Sequence, residues 1–100
     1  MSTRITDRDL DAVVRRINRT TNSPETSYTR QSDGKLKANV GNYHIDSAYG
    51  GVKLVRMVNE SGGITDITQN GFMPKRELYN LMHAFLREYE SRAAGADANR

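Results

Sequence analysis

Cysteine is absent from this sequence, and its absence excludes several kinds of protein at once. The chain can form no disulfide framework, no thiolate site for zinc and no thiol nucleophile. It also has no apolar run long enough for the core of a signal peptide or for a helix that crosses a membrane. We therefore expect a protein that remains inside the cell.

A strong charge of one sign is also missing. Fifteen basic residues stand against twelve acidic ones, which gives a net charge of +3 and a pI near 9.4. This excess favours anionic partners but is too small to indicate a protein that coats nucleic acid. With 36% hydrophobic residues in a chain of 100, the core is thin, and association with further copies would bury more apolar surface.

Residues 41–59 predict a β-hairpin around which the chain is organised. Gly50 and Gly51 lie between two β-rich runs, and adjacent glycines suit a two-residue turn that requires positive φ. With Tyr49 paired to Val52, the hairpin has two unlike faces. The face that can cover a core contains Tyr43, Ile45, Tyr49, Val52, Leu54 and Val58. The other face mixes apolar and charged groups, as partner-facing surfaces often do, and contains His44, Asp46, Lys53, Val55 and Met57.

Amphipathic helices are predicted on both sides of the hairpin. Residues 7–20 have apolar side chains at helical spacing, and Thr6 stands at the N-cap position. Residues 74–92 begin at Pro74 and show the strongest periodic pattern of the chain. Their apolar stripe consists of Leu78, Leu81, Met82, Phe85, Leu86 and Tyr89.

The remaining segments complete an α+β fold. Residues 20–35 predict a loop ordered by Tyr28 alone, a strand follows at 35–40, and a glycine turn after Asn59 leads to a strand at 64–68. We thus expect one domain over residues 1–92. It has an N-terminal helix, an antiparallel sheet of about four strands with a central hairpin, and a C-terminal amphipathic helix. The Ala/Gly-rich residues 93–100 predict a disordered tail.

Three arginines form a basic ridge on the first helix. At 100° per residue, Arg8, Arg15 and Arg19 lie within about 40° of one another, opposite the apolar stripe. Such a ridge could follow the phosphates of a nucleic acid. The commoner alternative is a solvated helix face held by pairs such as Asp11 with Arg15.

Patterns for catalysis and metal binding are sparse. His44 and His83 have no partners at the spacing of metal ligands or of a catalytic triad. His44 and Asp46 share one face of a strand, but two residues are too few to indicate a metal site. Both Gly-Gly pairs turn one strand into another, so neither precedes a helix as a phosphate-binding loop does. The sequence favours a binding protein over an enzyme and predicts no cofactor.

The start of the second helix offers a place for an anion. Lys75 and Arg76 lie in its first turn, where cations oppose the helix dipole. Free N–H groups and two cations together would suit an anionic ligand. The alternative is that both side chains are merely exposed.

Three groups of residues carry a resemblance to a known family: Ala48-Tyr49-Gly50-Gly51, Asn59 before a Gly-Gly turn, and Lys75-Arg76-Glu77-Leu78-Tyr79. In order and spacing they resemble the phage Thoeris anti-defence family, the sponge that captures the glycocyclic ADP-ribose signal of bacterial TIR enzymes. The resemblance covers most of residues 6–90. It implies a homohexamer in the cytoplasm of the infected bacterial host that holds the signal intact. Some members also take up cyclic di- and trinucleotides.

The resemblance also implies a ligand pocket. The family's aromatic, asparagine and arginine ligands correspond to Tyr49, Asn59 and Arg76, with tyrosine where the family pattern has phenylalanine. Strand rise puts Val52, beside Tyr49, about 23 Å from Asn59, so Tyr49 of one chain would meet Asn59 and Arg76 of another. The alternatives are that Tyr49 packs on the core and that Asn59 is a turn residue.

A rival function is also open. A small phage protein could use the basic ridge to bind nucleic acid or to block a host defence protein, as an anti-CRISPR does. The mild net charge argues against nucleic acid as the partner.

Overall fold

The computed structural model describes residues 4–98, which form an α+β fold as predicted. The elements in chain order are α1 (Asp7–Thr20), β1 (Tyr28–Arg30), β2 (Leu36–Ala38), β3 (Tyr43–Ala48), β4 (Gly51–Met57), β5 (Ile64–Asp66) and α2 (Lys75–Ala98). Both flanking helices and the central hairpin are confirmed. Among the described residues, no helix combines the length and the apolar character needed to cross a membrane.

The strands form two antiparallel sheets instead of one four-stranded sheet. β1 pairs with β2, while the second sheet has the order β3-β4-β5. The prediction that residues 20–35 form a loop ordered by Tyr28 alone was wrong. Two asparagines hold this segment, because Asn39 Nδ2 donates to Thr26 O and Asn42 Nδ2 donates to Pro24 O. These bonds join residues far apart in sequence, so local turn propensity did not reveal them.

Helix α1 begins where its cap predicts. Thr6 and Asp9 form a capping box in which the Asp9 amide donates to Thr6 Oγ1 at 3.2 Å and the Thr6 amide donates to Asp9 Oδ2 at 2.9 Å. The apolar stripe of Leu10, Val13, Val14 and Ile17 is buried against the rest of the core. The Thr6 amide and the Thr6 hydroxyl both donate to Asp9 Oδ2, and these two hydrogen bonds lower the pKa of Asp9.

The hairpin turn lies one residue earlier than predicted. Ala48 pairs with Gly51, and Tyr43 pairs with Arg56 instead of Val58. Tyr49 and Gly50, with φ of 53° and 74°, are the two turn residues, as a type I′ turn requires. Because every partner is displaced by two residues, the side chains within β3 and β4 keep their predicted faces. The assignment of Tyr49 and Val58 to the core face was wrong, since both lie outside the two strands and are 97% and 49% exposed.

The core lies between the two helices and one face of the β3-β4-β5 sheet. α1 packs against α2 and β3, and α2 packs against β4. The buried residues of the core are Leu10, Val13, Val14, Ile17, Tyr43, Val52, Leu54, Met73, Leu78, Met82 and Leu86. The stripe of α2 is therefore divided, since Leu81 and Phe85 are half-buried at its margin and Tyr89 is exposed.

The opposite face of the hairpin has less free apolar surface than predicted. Val55 and Met57 are 0% and 1% exposed within the single chain. The amide of Ala38 donates to Glu60 O, which holds β2 beside the end of β4. The apolar members of this face are thus buried without a partner protein.

Helix α2 continues beyond its predicted end. It reaches Ala98, whereas the pattern predicted an end at residue 92 and a disordered tail over 93–100. Alanines at positions 93, 94, 96 and 98 are strong helix formers, which explains the extension. Residues 99–100 lie outside the described part of the chain.

Candidate ligand-binding surface

Tyr49 stands at the tip of the hairpin with its side chain in solvent. The residue is 97% exposed and takes the left-handed backbone conformation. That conformation costs a non-glycine residue on the order of 1–2 kcal/mol. The alternative that Tyr49 packs on the core is therefore wrong.

Phe72 and Lys53 accompany Tyr49 and were not predicted from the sequence. The Phe72 ring meets Tyr49 edge-on with centroids 5.7 Å apart, and Lys53 Nζ lies 4.5 Å from the Phe72 centroid. An aromatic ring attracts a cation over its face, so Lys53 is held beside the two rings. We call Tyr49, Lys53 and Phe72 the tip cluster.

Backbone pairing fixes the tip cluster to the sheet. Met73 and Val52 exchange two hydrogen bonds, each 2.9 Å long, which ties the loop before α2 to β4. Gly51 permits this approach, because a Cβ there would lie 3.1 Å from the backbone of Met73 and from the Phe72 Cβ. The contact joins segments about 20 residues apart and leaves no periodic pattern in the sequence.

Asp66 organises the loop that leads to Phe72. Its Oδ1 accepts hydrogen bonds from the amides of Thr68 and Gln69 and from the Thr68 hydroxyl, and its Oδ2 accepts one from Gly71, all at 3.0–3.1 Å. Burial raises the pKa of Asp66, but these hydrogen bonds outweigh it, so the net shift is downward. An ionised carboxylate thus fixes the chain immediately before Phe72.

The two predicted cations at the start of α2 differ in their surroundings. Lys75 Nζ forms an ion pair with Asp7 Oδ1 at 3.0 Å, which joins the first turns of the two helices. Arg76 is exposed in the first turn of α2, three residues after Met73. Both cations of the predicted anion site thus lie in the first turn of α2, with Arg76 exposed and Lys75 half-buried.

Asn59 lies at the far end of β4 and acts in a turn. Its Oδ1 accepts hydrogen bonds from the amides of Ser61 (3.0 Å) and Gly63 (2.9 Å). The alternative interpretation of Asn59 as a turn residue is confirmed. Strand rise over the seven steps from Val52 gives a separation of about 23 Å, so one chain does not bring Asn59 to Tyr49.

The two histidines lie in different surroundings. The described residues contain no group of three or more His, Cys, Asp or Glu side chains that could hold an ion. His44 Nδ1 lies 3.2 Å from Asn42 Oδ1, and burial lowers the pKa of His44, against a smaller opposite effect of Asp46. His83 packs edge-on against Tyr79 with centroids 4.5 Å apart, and its Nε2 is buried without a hydrogen bond.

The basic ridge is partly neutralised by acidic neighbours. Arg19 pairs with Glu25 from the following loop. Its neighbour Arg16 pairs with Glu90 of α2 at 3.1 Å. The Arg19 pair agrees with a solvated helix face, although its acidic partner comes from outside α1 and is not the predicted Asp11, and Arg16 lies outside the ridge.

Comparison with known proteins found no matching family model, no similar curated protein and no similar solved structure.

Proposed function

We propose that the protein captures an anionic nucleotide signal and holds it without turnover, as the resemblance to the phage Thoeris anti-defence family implies. The observation that carries this proposal is the Tyr49 ring. It is 97% exposed, occupies a backbone conformation unfavourable for tyrosine, and is supported at its edge by Phe72. A ring fixed in solvent at such a cost suits a role in contact with a ligand.

Stacking is the chemistry that this ring offers. An aromatic side chain that stacks on a nucleic-acid base contributes about 1–3 kcal/mol per base and tolerates different bases. Phe72 contacts the Tyr49 ring, and Tyr49 is still 97% exposed and so accessible to a ligand. The tip cluster would therefore receive the base of the signal.

Arg76 would hold the phosphates. It lies in the first turn of α2, where backbone N–H groups favour an anion, and its planar guanidinium can form paired hydrogen bonds with phosphate. Lys53 adds positive charge at the tip cluster. Lys75 would contribute less, since its ammonium already pairs with Asp7.

Asn59 can join this site only from another chain, which makes the oligomer part of the proposal. Its Oδ1 is used in its own turn, so its Nδ2 would be the group that donates to the ligand. The assembly implied by the resemblance is a homohexamer in the cytoplasm of the infected host. The half-buried Leu81 and Phe85, together with exposed Tyr89, provide the apolar surface for it.

Glycocyclic ADP-ribose is the proposed ligand, with cyclic di- and trinucleotides as further candidates. Each combines bases for stacking with phosphates for Arg76. Capture should be stoichiometric and reversible on unfolding, since the action proposed is sequestration and not cleavage.

Heat release tests this function. The protein is incubated with an equimolar amount of glycocyclic ADP-ribose, passed through a desalting column, heated, and the supernatant is analysed by mass spectrometry. The proposal predicts retention of the signal on the protein and its release unchanged. A cleaved product would indicate an enzyme, and absence of the signal from the protein fraction would contradict capture.

A further inference from the structure

The outer edge of β3 is open along part of its length. β3 is the outer strand of the β3-β4-β5 sheet. The amide of Met57 donates to Asn42 O, just before β3 begins. In the same register, the N–H and C=O groups of the even-numbered residues of β3 point toward β4. Because these groups alternate along an antiparallel strand, those of Tyr43, Ile45 and Ser47 point away from β4.

Asn18 of α1 covers the first of these outward positions. Its buried side-chain amide donates to Tyr43 O at 3.0 Å and accepts from Tyr43 N at 2.9 Å, as a neighbouring strand would. Within the described part of the chain, the backbone groups of Ile45 and Ser47 have no such partner across the edge. Ser47 is also exposed, so this stretch of the edge is accessible.

A cleft between α1 and β3 adjoins the open edge. Its walls include Val14 and Arg15 of α1 and Tyr43 and Ile45 of the strand. A strand added at this edge would direct alternate side chains toward Val14 and Ile45. The side chain between them would lie on the opposite face, beside Asp46.

We propose that the β3 edge binds an extended segment of a partner protein by strand addition, with a basic side chain opposite Asp46. The N–H and C=O groups of Ile45 and Ser47 supply the backbone hydrogen bonds. β-branched residues on either side of the basic one fit the apolar part of the cleft. This surface is separate from the tip cluster and does not depend on nucleotide binding.

Charge argues for a basic partner strand and against a second copy of this chain. An antiparallel β3–β3 contact that used both Ile45 and Ser47 would place the two Asp46 residues directly opposite each other. Like charges in that arrangement destabilise strand pairing, whereas opposite charges contribute favourably. Lys53 already faces Asp46 from β4, so a basic residue on the outer side completes a row of alternating charge.

Peptide titration followed by NMR tests the proposal. The probe is the synthetic peptide acetyl-Thr-Val-Lys-Val-Thr-amide, added to ¹⁵N-labelled protein up to millimolar concentration. We expect the largest shifts at the amides of Ile45 and Ser47. The same peptide with glutamate in place of lysine should bind about three- to thirtyfold more weakly, and Asp46→Lys should reverse that preference.

Ser47→Pro tests the backbone contact itself. It removes an N–H that β4 does not use, so it should weaken binding of the lysine peptide by about tenfold or more. If Ser47→Pro fails to fold, a peptide N-methylated at both valines supplies the same test on the wild-type protein. Equal binding of the methylated and unmethylated peptides would overturn the proposal.

Two other results would also overturn it. Shifts confined to the basic ridge, or no shifts at millimolar peptide, would show that the edge takes no strand. If the amide chemical shifts of Ile45 and Ser47 change with protein concentration in the absence of peptide, the occupant of the edge is a second copy of the chain.

Discussion

At the scale of single residues, the proposed function of Tyr49 conflicts with the stability of the turn. A residue in the left-handed conformation is normally glycine or asparagine, and the adjacent Gly50 follows that rule. Tyr49 does not, and its ring buries almost no surface in return. The ligand-binding role proposed for Tyr49 would explain why tyrosine occupies this position.

Tyr49→Asn should therefore make the protein more stable and lower its affinity for glycocyclic ADP-ribose. Asparagine tolerates positive φ, so we expect a gain of about 1 kcal/mol in the free energy of unfolding, or roughly 4–8 °C in melting temperature. Thermal denaturation monitored by circular dichroism measures this. A lower melting temperature would mean that the tyrosine ring stabilises the turn.

Arg76 should make the largest single contribution to ligand affinity. Arg76→Ala removes a cation from a phosphate and should cost about 2–5 kcal/mol, or roughly 30- to several thousand-fold in affinity for glycocyclic ADP-ribose. Arg76→Lys should recover only part of the loss, because an ammonium lacks the planar fork. Arg87→Ala, which removes an exposed arginine elsewhere on α2, is the matched control. Equal losses for Arg76→Ala and Arg87→Ala would place the site elsewhere.

At the scale of elements, the sequence predicted what is local and periodic. The bounds of α1 agree with its apolar spacing and its Thr6 cap, and the hairpin follows from two β-rich runs around glycine. The turn was misplaced because Gly50-Gly51 looked like the better pair, whereas the chain uses Tyr49-Gly50.

The parts that were missed depend on contacts between distant segments. The pairing of Val52 with Met73 brings Phe72 beside Tyr49 and Lys53. β1 pairs with β2 across the loop between them. Nothing in the local sequence around Phe72 indicates either neighbour. Of the predicted ligand residues, Tyr49 and Arg76 are exposed, Lys75 forms an ion pair with Asp7, and Asn59 accepts two hydrogen bonds in its own turn.

The loop before α2 should be sensitive to acid. The pKa of Asp66 is lowered in the folded state, so its contribution to stability is present above the unfolded value of about 3.9 and is lost as pH falls through the folded pKa. Asp66→Asn weakens the four hydrogen bonds at pH 7 and should reduce stability by about 1–3 kcal/mol. Urea titrations at several pH values should show the difference from wild type shrinking below about pH 4. A constant difference down to pH 2 would contradict this role.

At the scale of the whole molecule, the central question is assembly. The single chain buries Val55 and Met57 itself, and its exposed large apolar side chains are spread over several elements, with Tyr89 on α2 among them. Phe85 and Tyr89 stack there with centroids 6.4 Å apart. We propose this surface for contacts between copies, because it lies beside the half-buried Leu81 on the same helix.

Phe85→Glu should accordingly dissociate the oligomer. A carboxylate cannot be buried in an apolar contact without a partner, so we expect a shift toward an 11.3 kDa monomer in light scattering at micromolar concentration. Arg87→Glu, on an exposed position of the same helix, is the control for added charge. A wild-type protein that is already monomeric would remove both the oligomer and the shared pocket.

Calorimetric titration of Tyr49 variants with glycocyclic ADP-ribose tests the central claim most directly, because it addresses the exposed ring on which the function depends. If the ring stacks on a base, Tyr49→Phe should bind almost as well as wild type, and Tyr49→Ala should lose about 1–3 kcal/mol of binding free energy. Melting temperatures measured in parallel would establish that both variants fold. Equal affinity of the wild type and Tyr49→Ala, or no heat of binding for any of the three proteins, would contradict the account.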